Sequence, residues 1–247
     1  MKAMVLAAGL GTRLRPLTNE RPKALVEVAG RTLLQITLAR LDGFGVHDVI
    51  INAHHFADML CEYLAAHGNF GMNLEVSRED VLLDTGGGLK KAAPFFLRGG
   101  SDDAFILHNV DVISTIDLNL MVQQHRRSGA LATLAVQPRE TSRYLLFSDQ
   151  LELCGRRAGR GQEDEIVRTA HHLTLLAFSG IHVISPRLLG MIREEGVFSI
   201  VTTYLRLAQE GEKISAFRAD GYYWRDMGKP ESITQVERDI ERGKVQL

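Results

Sequence analysis

The chain has 247 residues, with 29 Lys plus Arg against 30 Asp plus Glu and a formal net charge of −1. That balance lacks the basic excess of a protein built to coat nucleic acid or an acidic membrane. With 45% hydrophobic and 24% charged residues there is apolar mass for a full core, which excludes a disordered chain. The first half alternates short apolar runs with helix-periodic ones. Residues 3–8 (AMVLAA) form a buried-strand pattern ending at Gly9, too short for the apolar region of a signal peptide, and Arg13 and Arg15 follow. Leu34, Leu38 and Leu41 share one helical face, stopped by Gly43 and Gly45. Residues 48–52 (DVIIN) read as a second strand, and Phe56, Leu60, Tyr63 and Leu64 as a second helix ending near Gly68. Strands at 74–77 and 104–108 follow, then a helix face of Leu118, Met121, Val122 and His125, then a strand over 130–136. Strands separated by helices predict right-handed crossovers and an α/β fold, a mixed, mainly parallel sheet with helices on both faces.

The second half is less regular. Residues 144–148 and 150–154 read as an antiparallel pair, and 155–168, rich in Gly and Arg, as a mobile loop. A long strand over 173–184 precedes helices at 186–194 and 200–209, strands at 214–217 and 222–226, and a closing helix over 231–242. No repeat or linker interrupts the chain, so one domain over 1–247 is expected. Cys61 and Cys154 fall in no CxxC or Cys/His cluster, so neither a zinc site nor a disulfide framework is expected. No run reaches the roughly 18 apolar residues of a membrane span. The expectation is a soluble, cytoplasmic protein with no membrane partner.

The densest chemical signal is residues 6–23, LAAGLGTRLRPLTNERPK. Ligands of α/β sheets sit beyond the carboxyl ends of the strands, and glycines there let backbone N–H groups reach phosphate oxygens. Arg13 and Lys23 add fixed positive charge, Arg13 with the geometry for a bidentate phosphate contact. A dinucleotide fingerprint and a P-loop both need a further glycine where Leu14 stands, so both readings fail, and a nicotinamide-dependent oxidoreductase is disfavoured.

The same segment resembles the signature of the sugar-1-phosphate nucleotidyltransferases, G-x-G-T-R-(L/M)-x-P-L-T-x-x-x-P-K. Residues 83–89 (LDTGGGL) resemble that family's base-binding turn, and 105–111 (FILHNVD) its apolar strand ending in a metal-binding Asp. Residues 178–181 (FSGI) resemble the strand carrying a sugar-site glycine, and 224–228 (WRDMG) the W-x-D-x-G block with the second metal-binding Asp. The resemblance implies a Rossmann-like nucleotide-diphospho-sugar transferase fold, with a nucleotide-binding half over 1–113 and a sugar-binding half over 114–247. It implies condensation of a nucleoside triphosphate with a sugar 1-phosphate to a nucleotide-sugar and pyrophosphate, dependent on Mg²⁺ held by Asp111 and Asp226. The nucleotide falls to Ala8, Gly9, Gly11, Thr12 and Arg13, with Thr85, Gly86 and Asn109, and the sugar to Gly180. UTP or GTP is the expected nucleotide, uridine favoured, and the expected assembly is a monomer or small homo-oligomer without nucleic acid.

The residue types suit that chemistry. A phosphate monoester is largely dianionic at neutral pH, its second pKa being about 6, so the attacking group needs no general base. The difficulty is bringing two polyanions together, which calls for cations and alignment. The backbone of residues 9–13 and Arg13 are assigned the triphosphate and departing pyrophosphate, and Lys23 the α-phosphate and sugar phosphate. Hard carboxylates at Asp111 and Asp226 suit Mg²⁺.

Other residues carry competing readings. His54-His55 and His171-His172 have no second ligand at i+4 and read as core or surface histidines. Arg156, Arg157, Arg160 and Arg168 read as a phosphate-binding lid or as a solvated loop. The chain departs from the family pattern at Val110, where Gly is common, and at His108, where an apolar residue is common. The acidic residues 163–165 have no nearby Lys to complete a sugar-binding pair. Those departures keep a second reading open, a non-catalytic nucleotide-sugar sensor. A short chain without hexapeptide repeats resembles the N-acetylmuramate-1-phosphate uridylyltransferase and heptose- or mannose-1-phosphate guanylyltransferase branches.

Overall fold

A computed structural model describes residues 1–100, 103–159 and 163–247. The first half runs β1 (Lys2–Leu6), a hairpin of β2 (Glu27–Val28) and β3 (Arg31–Thr32), α1 (Leu33–Gly43), β4 (Asp48–Ala53), α2 (Ala57–Ala66), β5 (Asn73–Arg78), α3 (Asp84–Leu97), β6 (Phe105–Asn109) and β7 (Val112–Ser114). The second half runs α4 (Leu118–Ser128), β8 (Ala132–Gln137), β9 (Arg143–Phe147), β10 (Leu153–Ala158), β11 (Glu165–Ile166), β12 (Thr174–Ile184), α5 (Ile200–Gln209), β13 (Ile214–Arg218), β14 (Trp224–Asp226) and α6 (Pro230–Glu241). Side-chain caps start the helices where the sequence supplies them. The Thr32 hydroxyl accepts from the Gln35 N–H at 3.1 Å, and Asp117 accepts from the Leu120 N–H at 2.9 Å.

Among the described residues the main sheet has ten strands, ordered β11-β10-β9-β12-β6-β1-β4-β5, with β8 pairing β12 and β13 off that path. β1 lies between β4 and β6 and parallel to both, and β5 extends the parallel run. β12 reverses direction, antiparallel to β6, β8 and β9. β14 pairs antiparallel with β7 in a separate ribbon. Alternate strand residues feed two cores. Ala3, Val5 and Ile106 join Leu34, Leu38, Leu60, Met121 and Val236 of α1, α2, α4 and α6. Met4, Phe105 and Leu107 join Leu89, Phe95, Tyr204 and Leu207 of α3 and α5 on the other face. The expected layers, helices on both faces of a mixed sheet, are present.

Three stretches differ from expectation. Helix α3 begins where residues 83–89 resemble a base-binding turn, although three consecutive glycines each lower helix propensity by about 1 kcal/mol. Packing demands them. A Cβ on Gly86 would lie 2.3 Å from the Phe198 ring, one on Gly87 2.5 Å from the Gly196 carbonyl oxygen, and one on Gly88 2.8 Å from Glu79 Oε1. The expected mobile loop forms β10 and β11, where Gly155 lets the Glu165 carbonyl oxygen within 2.3 Å of the missing Cβ position. The helix expected over 186–194 is a 3-10 helix, Pro186–Met191.

Candidate active site

The loop after β1 opens beyond the carboxyl end of a strand flanked on both sides by parallel neighbours. Gly11 takes φ 62°, and a Cβ there would lie 2.8 Å from Thr18 Cγ2 and 3.1 Å from Lys23 Cβ. Glycine is required by both backbone and space. The Gly11 carbonyl accepts from the Leu14 N–H at 2.8 Å and the Thr18 hydroxyl at 2.9 Å. Leu14, where other phosphate loops carry glycine, is a fully buried anchor, while Thr12 and Arg13 stay exposed. A network that the sequence reading missed ties this loop to the next. Asn52 Oδ1 accepts from the Ala7 N–H at 2.7 Å, Asn52 Nδ2 donates to Glu79 Oε1 at 2.7 Å, and Glu79 Oε2 accepts from the Leu83 N–H at 3.0 Å. Both side chains are buried and need these partners. The one signal in the sequence is Asn52 closing an apolar strand.

Lys23 is 8% exposed, and its ammonium donates to Asp111 Oδ2 in an ion pair. Asp111 follows β6 and precedes β7, and the ribbon brings the backbone of Asp226 next to it. Asp226 stands opposite Val112, and the Met227 N–H donates to the Asp111 carbonyl at 2.7 Å. Asp226 Oδ1 accepts from the Gly228 N–H at 2.6 Å. A Cβ on Gly228 would lie 2.5 Å from both Asp226 Oδ1 and Arg13 Nη2, so the guanidinium and the carboxylate both press against that glycine. Residues far apart in the chain thus form one charged cluster: Lys23 paired with Asp111, and Arg13 and Asp226 both against Gly228. Arg40, a further residue missed in the sequence, anchors this ribbon from α1. Its two Nη atoms donate to the Ser114 and Ile116 carbonyls, and burial pushes its guanidinium down to about 10, opposed by Asp117.

Ala8, Gly9, Lys23, Thr85, Asn109 and Asp111 line one cleft of about 330 Å³, with Leu82 and Val197 on its apolar walls. Gly86 is buried, and its N–H donates to the Phe198 carbonyl at 2.9 Å. Thr85 Oγ1 accepts from the Ile200 N–H at 3.0 Å, which staples the start of α3 to the start of α5. Gly180 lies against the same group. It takes φ 74°, and a Cβ there would meet Asn109 Nδ2 at 2.8 Å. The β12–β8 register shifts between Phe178 and His182, where this turn falls.

Residues 2–144 match the family model described as nucleotidyl transferase. The chain belongs to the nucleotidyl transferase family. It is 33% identical over 246 residues to the N-acetylmuramate alpha-1-phosphate uridylyltransferase of Caulobacter vibrioides, covering 95% of each chain. It is 28% identical over 258 residues to the UTP--glucose-1-phosphate uridylyltransferase of a Synechocystis species, covering 97% of this chain and 63% of that one. It is 31% identical over 236 residues to the mannose-1-phosphate guanylyltransferase catalytic subunit beta of Xenopus tropicalis, covering 94% and 62%. Against the latter two the chain spans under two thirds of the relative's length. A UDP-glucose pyrophosphorylase complexed with UDP-glucose shares the fold, with TM-score 0.78 at 17% identity and 98% of each chain covered. HddC from Yersinia pseudotuberculosis, complexed with GMP-PN, shares it with TM-score 0.75 at 20% identity, covering 97% and 99%. The chain is an enzyme of sugar-1-phosphate nucleotidyl transfer.

In this nucleotidyltransferase the two departures from the family pattern turn inward. Val110 is buried, with its N–H donating to the Leu6 carbonyl at 3.1 Å. His108 is wholly buried and pushed down to about 4 by burial, then by the charge of Arg40; its Nδ1 contacts the Asn109 carbonyl at 2.8 Å. The arginines with a lid or solvated-loop reading pair within or beside the β10–β11 hairpin, Arg156 with Glu165, Arg157 with Asp164 and Arg168 with Glu152. Arg160 lies outside the described residues. His54 Nδ1 contacts the Glu79 carbonyl at 2.8 Å, and His55, His171 and His172 join no metal-binding group among the described residues.

Proposed function

We propose that the chain is a uridylyltransferase that joins UTP to a sugar 1-phosphate, with N-acetylmuramate 1-phosphate as the preferred partner. The observation that carries this reading is the convergence of Lys23, Asp111, Asp226 and Arg13 beside a cleft floored by the first loop. The choice of uridine and of this sugar rests on the Caulobacter relative, matched over nearly the whole of both chains. Ala8, Gly9, Thr85 and Asn109 take the nucleotide, with Gly86 shaping the turn behind them. Gly11, Thr12 and Arg13 hold the triphosphate. A sugar-phosphate oxygen attacks the α-phosphorus, the bond from that phosphorus to the departing oxygen breaks, and pyrophosphate leaves toward Arg13. Lys23 offsets the charge that builds at the α-phosphate. No residue has to move a proton, which agrees with a site of cations and carboxylates.

Asp111 and Asp226 offer hard oxygen donors from neighbouring strands, a set that fits Mg²⁺ better than softer metals. No group of three His, Cys, Asp or Glu gathers among the described residues, so such an ion would keep several waters. Held by Asp111 and Asp226, Mg²⁺ would supply charge that neutralises the phosphates. One domain serves both substrates, residues 1–113 the nucleotide and 114–247 the sugar, with Val197 reaching the nucleotide cleft from the later part. Among the described residues no helix is long and apolar enough to cross a membrane, and Cys61 and Cys154 are free thiols, which supports action in the cytoplasm. Val110 and His108 face the core, which removes the observation that favoured a sensor.

The test is pyrophosphate release from UTP, GTP, CTP, ATP and dTTP, each against N-acetylmuramate, glucose and mannose 1-phosphates with Mg²⁺. UTP with N-acetylmuramate 1-phosphate should be fastest. A tenfold preference for GTP would overturn the uridine choice, and silence with every pair would overturn the whole reading.

A further inference from the structure

Arg139, between β8 and β9, belongs to none of the motifs. Its guanidinium lies 3.6 Å from the centroid of the Trp224 ring. One arm is pinned, Nη2 donating to the Phe178 carbonyl at 2.6 Å. The ring beneath is pinned as well, Trp224 Nε1 donating to the Ser179 carbonyl at 2.7 Å. Trp224 and Asp226 are two apart on β14 and share a face, so the cation sits beside a site carboxylate. Phe178 and Ser179 lead directly into Gly180, which lies against Asn109. Arg139 is therefore mounted where the sugar-side glycine and the Asp226 strand come together.

No carboxylate forms an ion pair with Arg139 among the described residues. Burial holds the guanidinium below the ordinary arginine value, opposed by Asp226 and then Tyr144. Its Nε–H is buried without an acceptor. A half-buried cation with a buried donor left unmet is destabilising by itself. Stacking on Trp224 offsets part of that, and the remainder calls for an anion. Arg139 does not line the nucleotide cleft itself but stands beyond it, by Asp226 and the Gly180 strand, where an anionic second substrate can supply it.

We propose that Arg139 binds an oxyanion of the sugar 1-phosphate, either its phosphate or a carboxylate carried by the sugar. The proposal rests on the cleft being the sugar-1-phosphate site argued above. A guanidinium has donors beyond the one that Phe178 takes, set in a plane that matches either oxyanion.

The experiment compares the wild type with R139M, which keeps a flexible apolar stem over Trp224, and R139K, which keeps the charge without the fork. Binding of N-acetylmuramate 1-phosphate and of glucose 1-phosphate is read by calorimetry, KM by pyrophosphate release, and folding by circular dichroism and Tm. R139M should raise KM for N-acetylmuramate 1-phosphate at least tenfold and leave KM for UTP within twofold, with R139K in between. Equal weakening toward glucose 1-phosphate assigns the contact to the phosphate, and weakening confined to the acidic sugar assigns it to the carboxylate. If R139M binds both sugar phosphates like the wild type, the proposal is overturned. Equal losses for UTP and sugar phosphate overturn it too, since a purely structural role gives that pattern. Should R139M fail to fold, R139K carries the same readings. A wild type that binds and turns over neither sugar phosphate sinks the functional reading, a result distinct from R139M matching an active wild type.

Discussion

A single methyl group at Gly228 tests whether Arg13 and Asp226 work as a unit. A Cβ there would lie 2.5 Å from Arg13 Nη2 and from Asp226 Oδ1, while ordinary contact begins at 3.4 Å, so each group must retreat by 3.4 − 2.5 = 0.9 Å. Asp226 is also held by the Gly228 N–H at 2.6 Å and cannot retreat without loosening that bond. Misplacement near 1 Å in a positioned site lowers rates by roughly 100-fold, equivalent to about 2.7 kcal/mol of transition-state stabilisation. Gly228 is not among the residues with left-handed φ, so alanine adds no backbone strain there. A glycine-to-alanine change that fits raises stability by about 0.4–1 kcal/mol through the unfolded chain. Gly228→Ala should therefore lose about 100-fold in kcat/KM for pyrophosphate release while Tm moves by only a few degrees. Gly190→Ala is the control, because its Cβ would meet nothing within 4 Å. A Gly228→Ala enzyme within threefold of wild type, at unchanged Tm, would refute the joint role of Arg13 and Asp226.

Lys23→Met should lower kcat/KM at least tenfold, about 1.4 kcal/mol of transition-state stabilisation; a twofold effect would remove Lys23 from the chemistry. Asp111→Asn and Asp226→Asn should each abolish Mg²⁺-dependent pyrophosphate release and weaken Mn²⁺ binding read by electron paramagnetic resonance, and unchanged Mn²⁺ affinity in both would dismiss the carboxylate pair as the metal site. Stability should fall with acid before the carboxylates titrate. Burial pushes His108 and His125 down to about 4 and His182 to about 3, with the charges of Arg40, Arg126 and His108 respectively as second causes. The unfolded chain then binds more protons from about pH 6.5 down to those values, so each histidine costs about 1.4 kcal/mol per pH unit lost, roughly 4 kcal/mol per unit for the three around pH 5.5. Urea unfolding at pH 7.5, 6.5 and 5.5 checks this, and a flat profile would contradict it.

Much of this site can be read without a structure, because its parts announce themselves locally. A glycine turn after an apolar strand, with Arg13 and Lys23 close by, has few other uses. Asp111 ends an apolar strand, and Asp226 sits in a tryptophan-aspartate-glycine block. The parts that escaped act across the chain. Asn52 and Glu79 are 27 residues apart and meet only because β4 and β5 pair in register. Arg40 holds carbonyls more than 70 residues away, and Arg139 rests on a ring in another strand. Helix α3 escaped for the opposite reason, since local propensity argued against it and tertiary packing on Phe198 and Gly196 overrode propensity. Val110 looked like damage beside the proposed metal site because strand alternation alone does not say which face a residue takes after the last regular pair, and His108, paired with Val5 and Ile181 inside β6, because alternation does not say that both faces of that strand are covered.

The glycines carry the same lesson furthest. Gly30, Gly45, Gly129 and Gly211 all take positive φ, yet a Cβ on any of them would meet nothing within 4 Å; they serve only the backbone's turn. Gly11, Gly180 and Gly228 are different, because the missing Cβ position is crowded by Thr18 and then Lys23, by Asn109, and by Arg13 with Asp226. Each lets a chemically active side chain close on the main chain. Alanine at the first group should act through conformational strain and lower stability, with rate preserved. At Gly228, where no left-handed φ intervenes, it should act on the rate. Sorting glycines by what fills their missing methyl position thus separates turn-makers from site-makers, a distinction that the one-letter sequence cannot draw.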